Sequence, residues 1–131
     1  MTSIVEEHTY TSGHVARVTG LTFRRIDIWC HANILPFKVS GRGPGVYRRF
    51  SEEDVVIARV LSRLAEAGRE SPMFLRAVSQ DLQNYGRELL SNRFVVVDGN
   101  GTCELADSPH EVLLSIDLMQ AKHLTSVVEL W

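Results

Sequence analysis

The chain has 131 residues, 44% of them hydrophobic, with 14 basic and 16 acidic side chains and a formal net charge of −2. That length suits one domain of about 100–150 residues or two very small ones, and the apolar share excludes a disordered tail. No segment nears the roughly 20 apolar residues of a membrane span, and the start at Met1 lacks the basic and apolar regions of a signal peptide, so a cytoplasmic location is expected.

Residues 1–8 show no periodicity and read as a flexible arm. Thr11 or Ser12 can cap a short helix carrying Val15, Ala16 and Val18, which Thr19-Gly20-Leu21 breaks; Gly20 suits the left-handed geometry of a tight turn. Thr22 can cap a second helix reaching about Ala32 or Asn33. On it Ile26, Trp29, Cys30 and Asn33 fall at i, i+3, i+4 and i+7 and are expected to face inward, with Arg24, Ile28 and His31 outward and Arg25 and Asp27 on the flanks. Asn33 suits a left-handed terminator, and Pro36 prevents continuation.

From Phe37 to Phe50 the chain reads as two short extended arms around the turn Ser40-Gly41-Arg42-Gly43-Pro44-Gly45. Ser51 and Asp54 resemble a capping box, although Glu or Gln is usual at the second place. The helix they open carries Ile57, Leu61 and Leu64 on one side and ends at Gly68. Ser71-Pro72 starts another of about nineteen residues, with a stripe of Phe74, Val78, Leu82, Tyr85 and Leu89 and a wet face of Arg76, Gln80, Gln83 and Arg87.

The last forty residues change character. Phe94-Val95-Val96-Val97 and Thr102 to Leu105 flank Asp98-Gly99-Asn100-Gly101, a strong hairpin signal. Ser108-Pro109-His110-Glu111 combines a cap, a first-turn proline and an acid for a helix through about Met119. Ser126 to Leu130 reads as a final strand.

Charge divides unevenly along this order. Between Thr9 and Phe50 there are seven basic residues against Asp27 alone, a local charge of +6, whereas Ser51 onward carries −6. A positive field on one part of the molecule and solubilising acid elsewhere suit a polyanionic partner.

The spaced pieces resemble the DNA-binding domain of the MerR family of bacterial regulators. The residues that carry this are Tyr10-Thr11, Val15-Ala16, Gly20-Leu21-Thr22, Ile26, Trp29, Ile34-Leu35-Pro36, Val46-Tyr47-Arg48-Arg49-Phe50-Ser51 and Gly68. The resemblance covers about residues 9–68 and implies a winged helix-turn-helix. Three positions depart from the family pattern. Asp27 stands where an arginine is usual, Ile28 where a tyrosine is common, and Asn33 where a glycine is. Asp27 would repel phosphate unless paired, and Arg24, three residues earlier on the helix, is within reach of it.

The expected fold class is therefore α+β: a MerR-like winged helix-turn-helix over 9–70, then a helix and a small β-hairpin/α/β appendage over 71–131. The appendage either packs on the first part or pairs two copies, with strand edges near Phe94–Val97 or Val127–Leu130 as pairing surfaces. Recognition helices read base edges with their first turn, and arginine on guanine is the commonest specific contact, so Arg24 and Arg25 are the expected base readers. The resemblance implies that Tyr47 and Arg48 approach phosphates; Arg42, Lys38 and Arg17 can add further backbone contacts.

The expected activity is transcriptional regulation through sequence-specific binding of double-stranded DNA, as a homodimer at the bacterial nucleoid. An architectural protein of excisionase or terminase type, or a module meeting an acidic protein, are the alternatives. Catalysis is not expected. The histidines lack metal-ligand spacing, and His110-Glu111 lacks the second histidine of a zincin helix. The glycines at 41, 43 and 45 lack the strand and helix of a dinucleotide fingerprint. Cys30 reads as a small buried hydrophobe, and Asn100-Gly101-Thr102 as a turn rather than a glycosylation site. No cofactor is expected, and no aromatic-lined pocket, metal-sensing cysteine set or long dimerising coiled coil is apparent that would name an effector.

Overall fold

A computed structural model of the chain describes residues 8–40, 47–118 and 125–130. The arm at 1–7, the wing turn with Arg42, and Met119 at the end of the predicted last helix lie outside the described residues.

The first helix, α1 (Ser12–Thr19), is capped by Thr11, whose hydroxyl accepts from the His14 amide at 3.1 Å. It ends at Gly20, which holds φ at +78° and donates to the Ala16 carbonyl. Thr22 caps α2 (Phe23–His31) by accepting from the Arg25 amide at 3.0 Å. The turn between them is anchored to the core, since Thr19 donates to the Val15 carbonyl and Ser62 donates to the Thr19 carbonyl at 2.8 Å. On α2, Ile26, Trp29 and Cys30 are buried as expected, but Asn33 is exposed. The helix stops before Asn33, whose φ of +57° turns its side chain outward while the Ile34 amide reaches back to the Trp29 carbonyl.

Strands β1 (Lys38–Ser40) and β2 (Tyr47–Arg49) pair antiparallel, with Val39 opposite Arg48. Tyr10 adds a bridge to Phe50, with N–O distances of 2.7 and 2.9 Å. Ser51 and Asp54 form a reciprocal capping box at the start of α3 (Glu52–Glu66), so aspartate serves where glutamate is usual. This helix is the spine of the molecule. Val56, Ile57, Ala58, Val60, Leu61 and Leu64 are all buried, on a wider arc than the single stripe read from the sequence.

The nineteen-residue helix expected from Pro72 is interrupted. α4 (Pro72–Tyr85) ends at Gly86, whose φ is +58°, and residues 86–90 wind as a 3-10 turn that still buries Leu89. Arg76 also leaves the expected wet face, since its Nε and Nη2 both donate to the Ala32 carbonyl, at 3.2 and 2.9 Å. It fastens α4 to the end of α2.

Strands β3 (Phe94–Val97), β4 (Cys103–Ala106) and β5 (Ser126–Glu129) form an antiparallel sheet in the order β4-β3-β5. Asp98 organises the hairpin turn by accepting from the Asn100 and Thr102 amides at 2.8 and 2.9 Å. β3 is central, with both edges paired, so Phe94–Val97 is not the pairing edge expected of it; β5 has one partner among the described residues.

The strand alternation sends Val95, Val97, Cys103 and Val128 toward α3 and α4. Val96 and Ala106 face the other way, against Val112 of α5 (Pro109–Leu118). One buried cluster runs from Val15 through Leu64 to Leu130, so the appendage shares the core of the first part. Arg69 reinforces that join, donating to the Ser126 hydroxyl at 2.8 Å and the Asp98 carbonyl at 2.7 Å.

Candidate nucleic-acid interface

The outward stripe of α2 is Arg24, Asp27, Ile28 and His31, at i, i+3, i+4 and i+7, and all four are exposed. Thr22 at the cap fixes the first turn, so the base of the Arg24 side chain is held by a defined helix end. Arg24 makes no ion pair or hydrogen bond through its side chain among the described residues.

Arg25 turns toward a different neighbour. Its guanidinium lies 5.4 Å from the Trp29 ring and 3.4 Å from the Glu70 carboxylate, which leaves its side chain 41% exposed. The two arginines read together from the sequence therefore differ: one is open, the other is held at the side of the helix.

Asp27 is paired across the fold rather than along its own helix. Arg48, not Arg24, reaches it, with Nη1 donating to Oδ1 at 2.7 Å. His31 Nδ1 stands 3.5 Å from the same oxygen and 3.2 Å from Arg48 Nη2. The hydrogen bond from Arg48 holds the Asp27 carboxyl below its ordinary value. Arg48 also packs over the Phe37 ring at 5.3 Å. Hairpin and helix are thus one rigid unit.

Of the other predicted residues, Lys38 and Tyr47 are exposed on the paired strands, Tyr47 at 68%. Arg17 is exposed on α1, 3.1 Å from His14 Nδ1. Arg42 lies outside the described residues. Asp27 and Arg48 are brought together; Arg24, Arg25 and Arg17 are not tied to that pair by any bond among the described residues.

Arg49, read from the sequence as charge and as part of the family pattern, has a structural job: its Nε and Nη2 donate to the hydroxyl and carbonyl of Thr9 at 3.0 and 3.1 Å. Phe23, a large apolar side chain next to Arg24, is 64% exposed and was not singled out from the sequence. Its position directly after the Thr22 cap is the signal that could have marked it.

The cysteines contribute no exposed thiol. Cys30 and Cys103 are buried and unpaired, and burial raises both, Cys30 to about 11. Among the described residues no cluster of His, Cys, Asp or Glu could hold a metal ion, and no helix is long and apolar enough to cross a membrane.

Comparison with known proteins agrees with this geometry. Residues 10–72 match the model of the MerR HTH family regulatory protein. Over 112 residues the chain is 28% identical to proteins of Mycobacterium bovis and Mycobacterium tuberculosis named uncharacterized HTH-type transcriptional regulators. The match covers 85% of this chain and 48% of each relative, so the chain spans about half the length of the curated relatives it matches. Two capped helices with a tight turn, a paired hairpin and a capping-box helix occupy the matched span in that order. The mixed α+β chain carries, at residues 10–72, a MerR-family helix-turn-helix.

Proposed function

We propose that the chain is a sequence-specific transcriptional regulator that binds double-stranded DNA, with the outer stripe of α2 in the major groove and the β1–β2 hairpin on the adjacent backbone. The observation that carries this reading is Arg24: an exposed arginine, unpaired among the described residues, in the first turn of a capped helix, where recognition helices meet base edges. Lys38, Tyr47 and Arg48 supply phosphate contacts from the hairpin and Arg17 from α1, which orient the protein without reading sequence. The basic span from Thr9 to Phe50 supplies the long-range attraction despite the net negative chain. Relatives named as transcriptional regulators support the same reading.

Affinity for a duplex, measured against salt, tests it. Each neutralised phosphate adds about 0.9 to the slope of log affinity against log salt, so several contacts give a steep fall. A slope near zero defeats the proposal and favours an acidic protein partner instead.

The homodimer expected for half-site binding would use the edge of β5 that has no partner strand among the described residues, since β3 is enclosed. Sedimentation that finds only monomer, with and without DNA, removes this part of the reading.

A further inference from the structure

A cavity of about 410 Å³ lies between the helix-turn-helix and the C-terminal sheet, within the range of roughly 300–1,000 Å³ that takes small molecules. Tyr10 and His14 form one wall, their rings stacked at 4.4 Å and 24°. Val55, Val56 and Arg59 of α3 form the floor, and Leu130, just after β5, closes the far side. The surface is mainly aromatic and aliphatic, and Arg59 is the arginine that lines it.

A guanidinium carries five N–H donors. Among the described residues Arg59 has one acceptor, the Val18 carbonyl, at the long distance of 3.5 Å, and its Nε is shut off from solvent with no acceptor at all. No carboxylate pairs with it among the described residues. The terminal nitrogens have one long acceptor between them, and an anionic oxygen placed against them from the cavity is the chemistry that completes their bonding.

The opposite end of the same wall sets a limit on that ligand. Glu52 lines the cavity seven residues before Arg59, about 10 Å away by helix rise, and disfavours a second negative charge there. We propose that this cavity binds a small monocarboxylate with an aromatic or branched apolar body, its carboxylate on Arg59 and its body against Tyr10, His14 and the valines. Binding of this kind is independent of whether the protein binds DNA.

The test is a titration of the full chain with phenylacetate and with 2-phenylethanol, which differ in charge but little in shape, followed by NMR. Saturable shifts at Tyr10, His14, Val55 and Leu130 are expected for phenylacetate, with binding of the alcohol at least about tenfold weaker, a difference of about 1.4 kcal/mol. Arg59→Gln should erase the difference between the two probes. Val55→Trp, which fills the cavity and keeps Arg59, should abolish binding of both. The comparison of probes on the wild-type chain stands even if either variant misfolds. Absence of saturable shifts at these residues, or equal binding of acid and alcohol, overturns the proposal.

Discussion

Arg48 on the hairpin donates to Asp27 on α2 at 2.7 Å, and so ties β2 to α2 through the one acid of the basic span. The contact answers how Asp27 is tolerated: it is neutralised by a partner twenty-one residues away. In the proposed complex Arg48 would meet phosphate while sharing its charge with Asp27.

Removing the acid should therefore strengthen backbone binding. Asp27→Ala is expected to tighten affinity for any duplex and to steepen the salt slope by about one contact's worth, roughly 0.9. Fluorescence anisotropy at several salt concentrations checks this; an unchanged slope means that Arg48 never reaches phosphate. The pH dependence follows from the depressed carboxyl. A lowered folded-state value keeps the link intact above the ordinary carboxylate range and loses it only as pH falls through the lowered value. No step in affinity from Asp27 is expected between about pH 5 and 8.

Arg24 should carry base discrimination. Arg24→Ala is expected to cost about 1–3 kcal/mol at a preferred site and far less on random duplex, because a lost base contact is felt only where the base is right. Competition binding with the two DNAs measures both. An equal loss on each would make Arg24 another phosphate contact.

The hairpin turn should be intolerant at one glycine. Gly101 has φ of +89°, and a Cβ there would stand 2.9 Å from Ala77 Cβ and 3.3 Å from the Phe74 carbonyl oxygen. Gly101→Ala should destabilise by about 2 kcal/mol or more, combining left-handed strain with a clash against α4. Gly68→Ala, at φ of +86° in open space, should cost only about 1 kcal/mol. Urea denaturation of the pair checks the order; equal losses would mean that the sheet yields to the added methyl.

Both thiols should be inert in the folded protein. Burial raises Cys30 to about 11, and Cys103 is raised too, so labelling at mild alkaline pH should wait for unfolding. An unfolded thiol ionises near about 8.5, whereas the folded Cys30 holds its proton to about 11. The stability it contributes is full below the lower value and is lost as pH rises toward the higher one. Rapid labelling of one equivalent of native protein would contradict this burial.

Much of this fold was legible because its signals are local. Thr22, Ser51, Gly20, Gly68 and the Asp98–Gly101 turn each act on their own few residues, and each does so in the structure. The misreadings concern partners that only folding brings near. Helical spacing suggested Arg24 for Asp27, because nothing in the sequence shows the hairpin folding back onto α2. Arg76 looked solvated until α4 placed it on the Ala32 carbonyl, and a sound apolar stripe hid the break at Gly86. The order of the three strands went unread, although the unbroken apolar run of Phe94–Val97 fits the central place it takes, where Val95, Val96 and Val97 are all buried. For the candidate interface the sequence named residues but not their state: Arg24 is exposed, while Arg25 is held by Trp29 and Glu70.

Selection from a random pool of duplex DNA with the purified full chain tests the central claim most directly. An enriched motif is expected, one that disappears with Arg24→Ala while salt-sensitive binding to bulk duplex remains. A pool that stays random under the wild-type protein would contradict it.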